Sequence, residues 1–329
     1  MNRETILVTG AAGYIGSVLT EQLVEAGYRV LALDNLSTGH RRAVHPEAEF
    51  LFGDIVDEGW VEGVFTRHKI DAVVHLAAEA LIDDSITNPG KYYRVNVTGG
   101  LNLLEAMKRT GVKRMVFSST AATFGEPEEI PLLEDSPQKP VNTYGESKLA
   151  FEKMLAWFRG SYGLSYVMFR YFNVCGASKR YGESREHETH LIPIVLQAAL
   201  GQRPYLNLFG TDYPTKDGSC VRDYIHVCDI AKAHLLALKE VDRLGARSYN
   251  IGNGNGYTNR EVIRAVEKVT GIPVKVVDAE RRPGDPAVLV ASSERIKKEL
   301  GWAPDYSDLE SMVKTSWEWR KEYPTGYPE

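Results

Sequence analysis

Cysteine is scarce: Cys175, Cys220 and Cys228 are the only three in a chain of 329 residues. That is too few for a disulfide framework, and a reduced, cytoplasmic chain is expected. Cys220, His226, Cys228 and His234 cluster along the sequence but lack the C-x-x-C spacing of a zinc site, so no metal is expected. Long apolar runs are missing as well. The first, residues 6–8, runs into glycines and makes neither a signal peptide nor a membrane span, and no later stretch is long enough to span. Lysine and arginine form no extended runs, and the formal net charge is −5. Nucleic acid and anionic membrane are therefore not expected as main partners. Internal repeats and low-complexity segments are absent too. What is present is an ordinary globular balance, 43% hydrophobic and 25% charged, in a chain long enough for one large or two unequal domains.

The first half alternates strand-like and helix-like segments. TILVTG, YRVLALD, AEFLFGD, DAVVHLAA, KRMVFSST and SYVMFRYFN read as strands. IGSVLTEQLVEAG, VDEGWVEGVFTRH, the region 89–109 and residues 142–159 read as helices. This alternation predicts an α/β fold with a doubly wound parallel sheet covered on both faces. From about residue 173 the pattern breaks into a polar loop followed by short mixed elements, which predicts a smaller C-terminal domain. The chain is expected to pass back through the first domain once.

Four motifs carry chemistry. VTGAAGYIGS sets Gly10, Gly13 and Gly16 between a strand and a helix. Glycines let a backbone turn approach a pyrophosphate, and the helix N-terminus offers free N–H groups and partial positive charge. A ligand-free strand–turn–helix is the alternative. Asp34, ending the second strand, favours the nucleotide reading. A carboxylate there accepts hydrogen bonds from both adenosine ribose hydroxyls and repels a 2′-phosphate, which selects NAD over NADP. Asp54 follows the third strand and reaches an adenine edge or merely makes a turn.

Ser118, Ser119 and Thr120 end the fifth strand, at the sheet edge where such folds bind ligands, although capping or turn roles are equally open. In VNTYGESKLAFEKMLAWF, Tyr144 precedes Lys148 by one helical turn, so both lie on one face. Lys148 can hold a nicotinamide ribose and stabilise a tyrosinate at Tyr144. A unit charge at ~5 Å and an effective dielectric of ~20 contributes ~3 kcal/mol toward that ionisation. Thr120, Tyr144 and Lys148 thus form a candidate acid–base set.

The segments GYIGS, LDNLSTG, GDI, HLAA, FSSTAATFGEP, YGESK and RYFN resemble the extended short-chain dehydrogenase/reductase superfamily. ETHLIP, FGTDYPTKDGSCVRDYIHVCDIAKAHLLAL, YNIGNGNGYTNREVI and RRPGDPAVLVASSERIKKELGW narrow the resemblance to the UDP-glucose 4-epimerase family, in order and over essentially the whole chain. The resemblance implies a Rossmann domain over 1–172, re-entered at about 221–250, and a mainly UDP-sugar-binding domain over 173–329. It also implies a homodimer and one tightly bound NAD, recycled as a sugar C4 is oxidised and re-reduced.

Residue by residue, the resemblance makes Tyr144 the base for the sugar 4-OH, Thr120 its hydrogen-bonding partner and Lys148 the assisting cation. Cofactor positions carried over are Gly10, Gly13, Tyr14, Ile15, Gly16, Asp34, Asn35, Asp54, Ile55, Ala77, Lys148, Tyr171 and Phe172. Besides Thr120 and Tyr144, the substrate positions are Asn173, Leu191, Phe209, Arg222, Tyr224, Arg282 and Asp285. The two arginines suit paired N–H donation to a pyrophosphate, although a lone arginine is commonly a surface ion-pair residue.

Several positions depart from the family pattern. Phe124 replaces a usual tyrosine, Val95 precedes Asn96 where paired asparagines are common, Ala80 replaces the lysine of some members, and His190 stands near a position often held by asparagine. Val288 falls at the gate beside the sugar 2-position. Its small side chain predicts tolerance of UDP-GlcNAc and UDP-GalNAc as well as UDP-glucose and UDP-galactose. Competing expectations are a UDP-glucuronate or UDP-pentose 4-epimerase, an NAD-dependent sugar-nucleotide oxidoreductase, and a non-enzymatic sensor or scaffold. Dehydratases and decarboxylases are disfavoured because Ala121 and Ala122 follow Thr120, where an acid would be needed.

Overall fold

A computed structural model describes residues 3–282 and 285–328. The apolar runs of the first half are strands β1 (Thr5–Thr9), β2 (Arg29–Asp34), β3 (Glu49–Phe52), β4 (Ala72–His75), β5 (Arg114–Thr120) and β6 (Ser165–Tyr171). The later strands are β7 (Asn173–Cys175), β8 (Leu206–Phe209), β9 (Val221–His226), β10 (Ala246–Ile251), β11 (Gly256–Thr258), β12 (Val276–Ala279) and β13 (Val288–Leu289). One seven-stranded sheet runs in the order β10-β6-β5-β4-β1-β2-β3, and its pairings from β3 through β6 are all parallel. β1 and β4 are buried at every position, as strands covered on both faces must be. The order reverses between β1 and β4, so the carboxyl ends of these strands border the switch point where such sheets hold ligands.

One core packs Leu7, Leu31, Val73, Met115 and Phe117 of the strands against Val61, Phe65, Leu103, Met107, Phe151 and Leu155 of the helices Glu58–Arg67, Gly100–Thr110 and Thr143–Tyr162. The helix expected over 89–109 is broken: Pro89–Tyr92 and Gly100–Thr110 flank a π-helical stretch, Tyr93–Gly99. The two glycines at the junction permit close packing. A Cβ at Gly99 would lie 2.7 Å from Ile55, and one at Gly100 would lie 2.4 Å from the Phe151 ring.

The chain divides into two compact units. The first comprises the residues through Gly125, Ser136–Tyr171 and Ala231–Tyr249; the second comprises Glu126–Asp135, Phe172–Ile230 and the residues from Asn250 onward. The return to the first unit is shorter than the expected 221–250, because β9 hydrogen-bonds with β7, β11 and β13 inside the second unit. An excursion at 126–135 was not expected. It joins the second unit through the parallel bridge Leu132↔Ala291 and through Asn250 Nδ2, which donates to Leu132 O at 3.0 Å. The second unit has its own core, with Ile192, Val195, Leu196, Val262, Val266, Met312 and Val313 from three helices. One of these helices, Asn259–Thr270, opens on a capping box made by Thr258 and Glu261.

Candidate active site

The glycine turn is a cradle that side chains would fill. Gly10 has φ +72°, and a Cβ there would meet Ala77 N at 2.7 Å. A Cβ at Gly16 would lie 2.0 Å from Gly10 O. Gly13 is the N-cap of the helix Tyr14–Glu25 and places no side chain on its orphan N–H groups. That leaves a positive helix end suited to phosphate, so the turn fits the pyrophosphate of a dinucleotide. Tyr14 and Ile15 are half-buried in the first helical turn.

Asp34 ends β2 and is 7% exposed. Its Oδ2 accepts from Ala12 N at 2.9 Å and its Oδ1 from Leu36 N at 2.8 Å. Burial raises its carboxyl above the usual range, and the two N–H groups oppose that rise. The expected ribose acceptor is thus also the clamp that shapes the turn. Asn35 Nδ2 donates to Asp54 Oδ2 at 2.9 Å, and Asp54 Oδ1 accepts from Val56 N at 2.9 Å, which is the turn role left open for Asp54. Ile55 is buried. Ala77 N donates to Thr9 Oγ1 at 3.2 Å, and Thr9 Oγ1 lies 2.8 Å from His75 Nδ1. Burial, and then the charge of Lys148, push His75 down to about 3, so it is neutral.

The helix Thr143–Tyr162 starts where Asn142 caps it, its side chain accepting from Gly145 N at 2.8 Å. Lys148 is 3% exposed and its Nζ donates to Ser118 O at 2.9 Å, which ties the helix to the end of β5. Burial pulls its ammonium down to about 7, while Glu152 pulls the other way. Ser147 Oγ donates to Tyr144 O at 2.8 Å and accepts from Asn96 Nδ2 at 2.9 Å. Asn96 also binds the Glu79 backbone through both its side-chain atoms, so it orients this loop.

The Tyr144 ring lies edge-on to Tyr92, with centroids 6.5 Å apart. Tyr92 is buried, donates to Leu81 O and lies 3.2 Å from Asp84 Oδ2. Burial and then the Asp84 charge raise Tyr92 well above the ordinary phenol range. Thr120 Oγ1 accepts from Ala122 N at 3.1 Å, capping the turn Ala121–Phe124. Tyr171 OH meets His234 Nε2 at 2.7 Å, and burial raises its phenol strongly.

The second unit carries its own polar set. Asn173 on β7 sits opposite Tyr224 on β9, which is buried. Arg222, the neighbour of Tyr224 but one, forms an ion pair with Asp285 and donates to Val221 O at 2.8 Å. Arg282 covers the Phe209 ring, with its Cζ 4.2 Å from the centroid. Leu191 is half-buried at the start of the helix Leu191–Ala199, and Phe172 is buried. His190 Nδ1 lies 2.6 Å from Glu183 Oε1, which also pairs with Arg185 at 3.0 Å. Glu188 Oε1 accepts from the N–H groups of Thr189 and His190, each at 2.9 Å. Among the described residues, Glu183, Glu188 and His190 form the one group with metal-like spacing. The Arg185 guanidinium on Glu183 makes it an ion-pair network instead.

Sequence reasoning missed Glu152 and Arg170, a buried pair at 2.7 Å joining the helix Thr143–Tyr162 to β6, and Asp223, which accepts from three backbone N–H groups. The spacing Tyr144, Lys148, Glu152 is a signal for the first of these, since it continues one helix face.

A family model described as the NAD dependent epimerase/dehydratase family matches residues 6–252. A UDP-glucose 4-epimerase of Halalkalibacterium halodurans is 51% identical over 325 residues, covering 98% of this chain and 97% of that protein. A crystal structure of a UDP-glucose 4-epimerase superposes with TM-score 0.96 at 47% identity, covering 99% of this chain and 100% of that one. The structure of the Bifidobacterium longum UDP-glucose 4-epimerase, in complex with NAD+ and UDP, superposes with TM-score 0.93 at 36% identity, covering 98% and 100%.

Proposed function

The chain belongs to the NAD dependent epimerase/dehydratase family, and on that premise we propose that it is an NAD-dependent isomerase that interconverts UDP-glucose and UDP-galactose. One observation carries this reading. Tyr144 and Lys148 lie a helical turn apart with Lys148 fixed on Ser118 O, two residues before Thr120, in a chain whose full-length relatives bear that name.

NAD, when bound, supplies the acceptor that takes the C4 hydrogen of the sugar with its electron pair and returns it to the opposite face. The chain's residues manage the proton. Tyr144, as phenolate, takes the proton of the 4-hydroxyl and gives it back after the sugar has turned over. Thr120 donates its hydroxyl proton to the 4-oxygen. Lys148 steadies negative charge at Tyr144. The Gly10–Gly16 turn holds the cofactor pyrophosphate, and Asp34 holds the adenosine ribose. Arg222 and Arg282 are the cations for the substrate pyrophosphate. Cys175, Cys220 and Cys228 form no disulfide among the described residues, which suits a reducing cytoplasm. Exposed Trp157, Leu101 and Tyr93 suit contact with a second copy.

The native protein should epimerise UDP-galactose with no added cofactor and release stoichiometric NAD into the supernatant on denaturation. A chain free of NAD, or one inert until NAD is supplied in excess, would contradict this reading.

We extend the proposal to N-acetylated sugars on the strength of Val288. It is half-buried on β13, opposite Val221. Valine leaves space where an aromatic ring would crowd an acetamido group. The Val288→Tyr variant should lose about tenfold or more in kcat/KM for UDP-GlcNAc while keeping UDP-glucose turnover within about threefold. Equal losses on both sugars in steady-state assays would place Val288 away from the 2-substituent.

A further inference from the structure

One carboxylate in the first unit gathers four donor contacts. Glu152 lies one turn beyond Lys148 on the helix Thr143–Tyr162 and is 4% exposed. Its Oε1 accepts from Ser119 Oγ at 2.5 Å and from Arg170 Nε at 3.0 Å. Its Oε2 accepts from Arg170 Nη2 at 2.7 Å and from Gln138 Nε2 at 2.9 Å. The donors come from β5, from β6 and from the segment leading into the helix. Arg170 also lies over the Phe124 ring, 5.2 Å from its centroid, in the turn that follows Thr120.

Ser119 is the chain neighbour of both Ser118, whose carbonyl holds Lys148, and Thr120. Across the β5–β6 register, Ser119 faces Arg170 and Thr120 faces Tyr171. A displaced Glu152 therefore moves the lysine's anchor and Thr120 together. Buried ion pairs are often replaceable by apolar side chains with little loss of stability, so stability alone explains this one poorly.

We propose that Glu152 is a positioning residue for the reaction: through Ser119 it fixes the end of β5, and its negative charge holds the Lys148 ammonium beside Tyr144. This rests on the epimerase reading given above. Lys148 shares its helix with Tyr144 and Glu152, its charge reaches His75 on β4, and Arg170 and Tyr171 of β6 face Ser119 and Thr120 across the register. Burial keeps His75 neutral and Tyr171 protonated. Glu152 is thus the fixed charge that biases the lysine, and Arg170 is its ion-pair partner.

The test is the pH profile of kcat in NAD-loaded enzyme. Without the Glu152 charge Lys148 gives up its proton at lower pH. The Glu152→Gln variant should move the alkaline limb toward acid by about one pH unit, with a loss about tenfold greater above the limb than below it. If Glu152→Gln fails to fold, the double variant E152Q/R170M compared with R170M isolates the carboxylate, and its limb should lie on the acid side. A uniform loss with the limb unmoved overturns the proposal and leaves Glu152 a structural residue. Wild-type turnover without added NAD, cut about 10³-fold by Tyr144→Phe, checks the underlying reading separately. If that control fails, the reading falls; if it holds and the limb stays still, only the role of Glu152 falls.

Discussion

Replacing Tyr144 with phenylalanine is expected to lower kcat about 10³-fold, with KM changed less than about threefold and NAD content unchanged. A positioned acid–base group contributes roughly 10²–10⁴ in rate, and no group beside it among the described residues is placed to substitute. Lys148 Nζ is committed to Ser118 O. The neighbouring phenol, Tyr92, donates to Leu81 O and is held protonated by burial and Asp84. His75 has its Nδ1 turned to Thr9 and is neutral throughout the working range. Phenylalanine keeps the edge-on packing against Tyr92, and the helix start is capped by Asn142, so the fold has no reason to change. The measurement is steady-state turnover of UDP-galactose beside NAD released by denaturation. Turnover within threefold of wild type at equal NAD would remove Tyr144 from the chemistry.

The features legible in the sequence are those whose cause is local. Gly10 has to be glycine because its backbone lies at positive φ against Ala77, and a strand–glycine–helix pattern announces that need. Tyr144 and Lys148 are legible because helical geometry alone puts i and i+4 together. The parallel sheet is legible because strands buried on both faces are apolar without alternation. What escaped is set by partners distant in sequence. Glu152 draws its donors from Ser119, Gln138 and Arg170, and nothing in the local run LAFEKML requires a buried acid. The excursion at 126–135 depends on a bridge from Leu132 to Ala291, which no periodicity encodes. The membership of β9 was misplaced because a six-residue strand, VRDYIH, carries no pattern that says which sheet it joins until its neighbours are known. Asp34 was legible as an acid at a strand end, but its hold on Ala12 and Leu36 was not.

The Tyr144 helix and the glycine turn fail differently, and this separates chemistry from retention of the cofactor. The Gly16→Ala variant is expected to lose its NAD during purification and to epimerise only with NAD added, at an affinity about 10²-fold weaker. The added Cβ would stand 2.0 Å from Gly10 O, 2.8 Å from Gly10 C and 2.9 Å from Ala11 Cα, all of them backbone. Gly10 cannot give way, because its N–H is bonded to Leu33 O at 2.9 Å and the space beside its α-carbon is taken by the Ala77 backbone. The helix Tyr14–Glu25 must instead retreat by roughly 1 Å from a close-packed neighbour. Overpacking of this kind costs about 3 kcal/mol, which is about 10² in a binding constant. The retreat takes with it the N–H groups that face the pyrophosphate, so the loss falls on the cofactor. Gly27, at the far end of the same helix, is the control. Its φ is +89° with nothing within 4 Å of a Cβ, so Gly27→Asn strains the backbone without touching the turn. NAD content measured on both variants should fall only for Gly16→Ala, whereas full retention there would mean that the pyrophosphate is held elsewhere.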